Sequence, residues 1–387
     1  MTNETAGAPP LWSPRVAALE PYVAGEQPRI ADLVKLNTNE NPYPPSPRAV
    51  EAIRRAAESG LQLYPDPEAH ALREAIARRH GLGVEQVFVG NSSDEVLAHA
   101  FYAFFQQAEP LLIPDITYDF YRSYCRLHAI GFELQPVDEG LCIDVAALAA
   151  RAAAGCGGIV LANPNAPTGI ALELSQIEAL LRACPERVLL VDEAYVDFGG
   201  ESALALVARH PNLLVVQTLS KSRSLAGLRV GFACGQAPLV DALDRVKNSF
   251  NAYPLDRLAL AGAVAAIEDE DWFARHRNLV VDTREGLALQ MEDMGFEVLP
   301  SQANFLFVRH PGHDAAALAV ELRARAVLVR HFAKPRIAQY LRISVGSRPQ
   351  CERLVQALAE IVGSALNTSA PRPVPRTAPD RCDSARR

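Results

Sequence analysis

The sequence predicts an α/β fold, a mostly parallel central sheet flanked by helices, with a smaller α+β domain after it. Three observations predict this. Short apolar runs bounded by turn residues recur at 86–90, 110–113, 158–162, 187–191 and 213–217. Stretches with helical apolar spacing fall between them, at 94–106, 118–129, 173–183 and 201–209. The chain has 387 residues, 49% of them apolar, enough to fill more than one core. Strands that alternate with helices pair in parallel, because each helix carries the chain back to the starting edge. Ligands of such sheets bind at the carboxyl ends of the strands. Chemistry is therefore to be sought in the loops that follow the apolar runs.

Taken in order, residues 1–45 are rich in Pro, Asn and polar residues and read as an extended arm contributing to the small domain. PRAVEAIRRAAES at 47–59 has a Ser-Pro start at Ser46 and is followed by Gly60, the signals that open and close a helix. PEAHALREAIARRH at 67–80 repeats that logic and closes at Gly81. The strand–helix alternation then fills a large domain, 46–275. A long helical stretch at 256–294 leads into strands near 296–308, 327–332 and 340–345 and helices at 314–325 and 350–364. These make the small domain, 276–365. Residues 366–387, Pro- and Arg-rich with little to bury, read as a disordered tail.

Composition narrows the function. A net charge of −7 argues against broad electrostatic binding to nucleic acid or to anionic lipid. The seven cysteines (Cys125, Cys142, Cys156, Cys184, Cys234, Cys351 and Cys382) are odd in number, and no pair has metal-type spacing. Neither a disulfide framework nor a metal site is expected. The first thirty residues lack a basic segment followed by an apolar run, and no apolar stretch is long enough to span a bilayer. A cytoplasmic protein is the expectation.

Chemistry that needs a primary amine has four candidates, Lys35, Lys221, Lys247 and Lys334, against 34 arginines. Lys221 follows the run 213–217 in TLSKSRSLAGLRVG, where a partly desolvated amine can form imines. A lone lysine is most often a surface residue. Here the hydroxyls of Thr218 and Ser220 and the guanidinium of Arg229 accompany it, and together they suit a phosphorylated aldehyde. Asp192 closes the run 187–191 in VLLVDEAYVDFGG. A carboxylate ending a buried strand needs a partner: a helix cap, a salt bridge or a protonated pyridine nitrogen. Tyr195, three residues on, is either a packing aromatic or a donor to a phenolic oxygen.

Other segments are less specific. Ser93 and Asp94 lie in GNSSDE at 90–95, where main-chain N–H groups at a helix start form an anion site, although the same string reads as a plain capping box. Tyr118, in PDITYDFYR, can stack on a flat heterocycle, with Phe120 and Tyr121 as rival positions. ANPNAPTG at 162–169 is a rigid loop, either a simple turn or one that shapes a ligand. Arg342, inside the apolar strand YLRISVG, needs a carboxylate from protein or ligand, and Arg330 in VLVRHF is a second inward candidate. Two arginines in one small domain point to an anionic substrate.

These motifs, in this order, resemble the fold type I aminotransferases that depend on pyridoxal 5′-phosphate: YPDP at 64–67, GNSSDE, the aromatic after PDIT, NPNAPTG, VDEAY at 191–195 and SKSRSLAGLRVG at 220–231. Within that group the chain is similar to the histidinol-phosphate aminotransferases, from LNTNENPYPPSP at 36–47 to VRHFAKPRIAQYLRISVGS at 329–347. The likeness covers most of residues 20–365.

The resemblance implies roles residue by residue. Lys221 holds the cofactor as an imine and then moves the proton, Asp192 pairs with the pyridinium, Tyr195 contacts the phenolic oxygen and Tyr118 stacks on the ring. Ser93, Asp94, Thr218, Ser220 and Arg229 hold the phosphate. Tyr64 reaches the cofactor of a neighbouring subunit, which implies a homodimer with shared sites. Arg342 binds the substrate carboxylate, Tyr22 and Arg330 the substrate phosphate, and Asn39 lies on the loop that covers the site. The implied reaction moves an amino group between glutamate and 2-oxoglutarate and between histidinol phosphate and imidazole-acetol phosphate, in histidine biosynthesis. Relatives usually carry Asn directly before Pro-Thr-Gly, where this chain has Ala166, and Asn165 or Asn163 stands in for it. Ser92 stands where many relatives have Gly. Aromatic aminotransferases, and a related enzyme acting on a phosphorylated amino acid, share the same motifs. A regulator that keeps the fold without turnover is the alternative outside enzymes, and the Lys221, Asp192 and Arg229 set argues against it.

Overall fold

A computed structural model describes residues 11–17, 19–22 and 25–366. The tail expected at 366–387 therefore lies, from residue 367 on, outside the described residues. Thirteen strands occur among the described residues: β1 (Val34–Lys35), β2 (Val87–Asn91), β3 (Leu111–Pro114), β4 (Phe132–Gln135), β5 (Gly158–Ala162), β6 (Leu189–Asp192), β7 (Leu213–Thr218), β8 (Val230–Gly235), β9 (Glu297–Val298), β10 (Phe305–Arg309), β11 (Val327–Leu328), β12 (Arg330–His331) and β13 (Leu341–Ser344).

The predicted α/β architecture is the one observed. Seven strands form a sheet in the order β2-β8-β7-β6-β5-β3-β4. All neighbours pair in parallel except β8, which is antiparallel to both β2 and β7. The central strands are buried on both faces, and their side chains alternate between two cores as the pleat requires. Ile159, Leu161, Leu189, Val191, Leu213 and Val215 enter one core. Val160, Ala162, Leu190, Leu214 and Val216 enter the other. The helices that cover these faces are fixed by local signals. Ser46 caps the helix Pro47–Ala57 by accepting from the Arg48 amide. Gly81, at φ 67°, ends the helix His70–His80.

Several elements differ from the sequence reading. The strand β4 (FELQ) is an edge strand with a half-exposed, polar alternation, so no apolar run announces it. The strand β8 (VGFACG) is masked by two glycines, and Gly231 is needed there because a Cβ would meet the Ser93 amide nitrogen at 2.2 Å. The helices Val145–Ala153 and Ala237–Phe250 fall in segments where no element is expected from the sequence. The helix expected at 201–209 is a single 3-10 turn, Ala203–Leu206.

A four-stranded antiparallel sheet, β12-β13-β10-β9, follows the long helix Glu270–Asp293. The domain boundary expected at 275/276 falls inside that helix. Leu306, Val308, Leu341 and Ile343 share a core with Leu287, Met291, Leu354 and Leu358 from the helices. The arm is tied to this unit: β1 pairs in parallel with β11, and the Ser344 amide donates to the Leu36 carbonyl at 2.9 Å. That pairing lays residues 37–41 across the carboxyl edge of the large sheet, where they contact Lys221 and Tyr195.

Candidate active site

Strands β5, β6 and β7 end side by side, with Ala162 opposite Asp192 and Asp192 opposite Val216. Their carboxyl ends open into a cavity of about 250 Å³. The large sheet supplies one wall and the arm with the small sheet supplies the other. Asp192, Tyr195, Lys221 and Tyr118 line it together.

At one end the cavity is built for an anion. Ser92, at φ 69°, turns the chain from β2 into the helix Ser92–Phe104, whose first N–H groups lie outside the helical backbone bonding pattern; the Ser92 amide donates to the Arg229 carbonyl at 2.8 Å and the Asp94 amide to Ser92 Oγ at 3.2 Å. Gly231 lets the neighbouring strand approach the Ser93 amide closely. Thr218 donates to Ser220 at 3.0 Å, so two hydroxyls stand at the end of β7. Arg229 donates to Asp94 at 2.8 Å and lies on the same cavity wall. Ser92, Ser93, Asp94, Thr218, Ser220 and Arg229 all line the cavity.

Asp192 is almost fully buried. Tyr121 donates to its Oδ2 at 2.8 Å and the Ala194 amide to its Oδ1 at 3.2 Å. Burial pushes the carboxyl up to about 6, and these two hydrogen bonds hold it down only in part. A buried acid in that state is waiting for a cation. Tyr121 is therefore no rival to Tyr118: it lies fully buried beneath Asp192, while Tyr118 faces the cavity with Phe120 stacked at 6.0 Å. Lys221 donates from Nζ to the Thr38 carbonyl at 3.1 Å and lies 5.9 Å from the Tyr195 ring centre. The Tyr195 hydroxyl accepts from the Asn39 amide at 3.1 Å, and its ring stands edge-on to Phe305.

The opposite wall carries two arginines. Arg342 on β13 lies directly across from Arg330 on β12. Arg342 donates to the Asn37 carbonyl at 2.9 Å, but its buried Nε has no partner among the described residues. Burial pulls its guanidinium below the ordinary value. Tyr22 closes the cavity near Tyr118, with Phe120 at 4.8 Å. Asn39 is locked by Ser344, which accepts from its amide and donates to its side-chain oxygen, and by Asn304.

Three expected residues lie elsewhere. Asn165 is buried in its own loop, accepting from Thr117 at 2.8 Å and donating to the Ile116 carbonyl at 2.9 Å, and Asn163 is engaged with Leu172. Neither lines the cavity; Ala166 does. Tyr64 is 79% exposed, stacked on Tyr253 at 4.6 Å, and does not reach this chain's own cavity. No group of residues suited to hold a metal ion occurs among the described residues.

Residues 31–358 match the family described as aminotransferase class I and II. The chain belongs to that family.

As an aminotransferase it has relatives of similar length. It is 59% identical over 352 residues to histidinol-phosphate aminotransferase 2 of Rhizobium meliloti, covering 91% of this chain and 99% of that one. It is 59% identical over 351 residues to histidinol-phosphate aminotransferase of Aromatoleum aromaticum, with the same coverage. Among solved structures it resembles histidinol-phosphate aminotransferase from Sinorhizobium meliloti in complex with pyridoxal-5′-phosphate, with a TM-score of 0.83 and 25% identity over 92% of this chain and 99% of that one. The aminotransferase cavity also contains residues that the sequence reading did not name as lining it: Asn37, Thr38, Glu40 and Ser92. Three of these lie on the arm, which has no periodicity from which facing could be read.

Proposed function

We propose that this aminotransferase holds pyridoxal 5′-phosphate in the cavity and moves an amino group between glutamate and imidazole-acetol phosphate, yielding 2-oxoglutarate and histidinol phosphate. The observation that carries the proposal is the division of charge. One set of cations and N–H groups serves a phosphate at the large-sheet edge, and a second pair, Arg342 and Arg330, remains for a substrate's own anions. The curated relatives supply the identity of the substrate.

When bound, the cofactor supplies a pyridine ring that withdraws electrons from the substrate's α-carbon. The chain's residues do the rest. Asp192, lacking a cation and buried, is matched to a ring nitrogen that it keeps protonated. Lys221 is the amine for covalent attachment, and when free it takes the proton from the substrate's α-carbon and returns it on the other side of the exchange. Tyr118 covers one face of the ring, and Tyr195, oriented by Asn39, donates to the phenolic oxygen. Ser93, Asp94 through its amide, Thr218, Ser220 and Arg229 hold the phosphate. Arg342 takes the substrate carboxylate on its unpaired Nε, while Arg330 and Tyr22 take the substrate phosphate. Asn165 acts indirectly, by bracing the loop that carries Ala166.

The active form is a homodimer in this reading. Tyr64, Leu61 and Leu63 are all mostly exposed on one loop, and Tyr64 reaches the cofactor phosphate of the second subunit. The arm at 1–45 and residues 276–365 form the small domain against a large domain at 46–275. The site of action is the cytoplasm. Five buried free thiols suit a reducing compartment, and no helix among the described residues is long and apolar enough to cross a membrane.

The Tyr22, Tyr118 and Phe120 cluster would also welcome an aromatic amino acid, so the test compares donors. In a half-reaction followed by absorbance, histidinol phosphate should exceed phenylalanine in kcat/KM by roughly 100-fold or more. Equal rates, or a preference for phenylalanine, would overturn the substrate assignment.

A further inference from the structure

We infer that Glu40 determines specificity: its carboxylate accepts a hydrogen bond from the imidazole ring of the phosphorylated substrate, a contact that glutamate cannot make. The inference rests on the histidinol-phosphate reading above and goes beyond it by naming the group that distinguishes the two substrates.

One cavity must serve two amino donors of different chemistry. Apart from the reacting amine, glutamate offers only two carboxylates. Histidinol phosphate offers a phosphate and an imidazole. Anionic ends of either can share Arg342 and Arg330. The imidazole N–H needs an acceptor, and three carboxylates line the cavity: Asp94, Asp192 and Glu40. Asp94 is matched to Arg229, and its Oδ1 takes the Tyr118 hydroxyl at 3.4 Å. Asp192 is almost fully buried and accepts from Tyr121 and the Ala194 amide. Of these three carboxylates Glu40 alone has an oxygen without a hydrogen bond; the other unpaired acceptor of the cavity, Asn37 Oδ1, is uncharged and buried. Thr38 donates to Glu40 Oε2 at 2.9 Å, and Lys35 contacts the same oxygen, while Oε1 takes no hydrogen bond among the described residues.

Placement supports the role. Glu40 lies two residues beyond Thr38, whose carbonyl accepts from Lys221 Nζ at 3.1 Å, and its carboxylate, 47% exposed, is near enough to Lys221 to feel its charge. Lys35 and Thr38 fix one oxygen and thereby orient the other. Partial burial pushes the carboxyl up, but hydrogen bonds from Lys35 and Thr38 and the nearby charges of Lys35 and Lys221 outweigh it and leave it below its ordinary value. Glu40 is thus ionised at neutral pH, an acceptor for a ring N–H and a repeller of a second carboxylate.

The test uses holoenzyme, wild type and Glu40→Gln and Glu40→Ala, and two unreactive probes: 3-(imidazol-4-yl)propyl phosphate, which lacks the amine, and 3-phenylpropyl phosphate. Calorimetric titration reads the ratio of their dissociation constants. Wild type should favour the imidazole probe by about 10- to 100-fold, and both variants should reduce that ratio to about threefold or less. In half-reactions the variants should lose kcat/KM for histidinol phosphate and gain it for glutamate. A preference that persists in both variants sinks the role of Glu40 and leaves the substrate assignment standing. Equal loss for both probes also overturns it, since that outcome marks a general positioning of the arm. If wild type neither prefers the imidazole probe nor turns over histidinol phosphate, the substrate assignment itself fails.

Discussion

The two walls of the cavity differ in how completely their polar groups are satisfied. On the large-sheet wall Asp94 meets Arg229, Asp192 meets Tyr121 and the Ala194 amide, and Thr218 meets Ser220. On the wall made by the arm and the small sheet, the buried Arg342 Nε and Asn37 Oδ1 have no partner among the described residues. Unpaired buried polar atoms are costly, on the order of 1–3 kcal/mol each. A wall that is paired within itself suits a permanent guest that adds one charge. A wall left unpaired suits a ligand that arrives, completes the hydrogen bonds and leaves.

The sharpest way to break this comparison is to alter Asp192, the one acid of the large-sheet wall that burial leaves short of a cation. Asp192→Asn should lower kcat by roughly 200- to 5000-fold, the equivalent of about 3–5 kcal/mol for removing one partner of a buried ion pair. Cofactor retention and single-turnover rates check it. Next in size, Arg342→Ala should reduce kcat/KM for glutamate by roughly 30- to 1000-fold, mostly through KM, as expected for a buried charge pair that loses one member. If Arg342→Ala acted on kcat alone, the unpaired wall would not be the substrate's.

The smallest effect is one of stability, and its sign is informative. The folded value of Asp192, about 6, lies above its ordinary 3.8. Its contribution to the cofactor-free protein is therefore fully present below about pH 4 and is lost as pH rises through about 6. Cofactor-free Asp192→Asn should then be the more stable protein at about pH 8, by on the order of 3 kcal/mol, and nearly equal to wild type at about pH 4. Adding pyridoxal 5′-phosphate should reverse the order at high pH. Thermal melts with and without cofactor at the two pH values check this; an unchanged order would mean that the ring nitrogen does not meet Asp192.

The sequence revealed these two walls unequally. Asp192 and Lys221 stand out because one ends a buried apolar run and the other lies just beyond the next, and parallel topology brings such ends to one edge. Arg342 and Arg330 are conspicuous as charges in apolar strands. By contrast, Asn37, Thr38 and Glu40 lie in a segment stabilised by tertiary contacts alone, through β1 and β11 and the Ser344–Asn39 bonds, and nothing local predicts which way they face. The resemblance implied Asn165 or Asn163 as a stand-in for the Asn that relatives carry where Ala166 lies; in the fold the Asn165 amide closes the loop on Thr117 and Ile116. The edge strand β4 and the glycine-bearing β8 were missed for a related reason, since neither presents the uninterrupted apolar run of a central strand.

The central claim is that Lys221 is the amine that carries the cofactor. Borohydride reduction of the purified holoenzyme, digestion and peptide mass spectrometry test it directly, because only four lysines compete. The account predicts a pyridoxyl phosphate label on the peptide containing Lys221, with Lys221→Ala unlabelled yet folded by circular dichroism. A label on Lys35, or none in an enzyme that still transaminates, would contradict it.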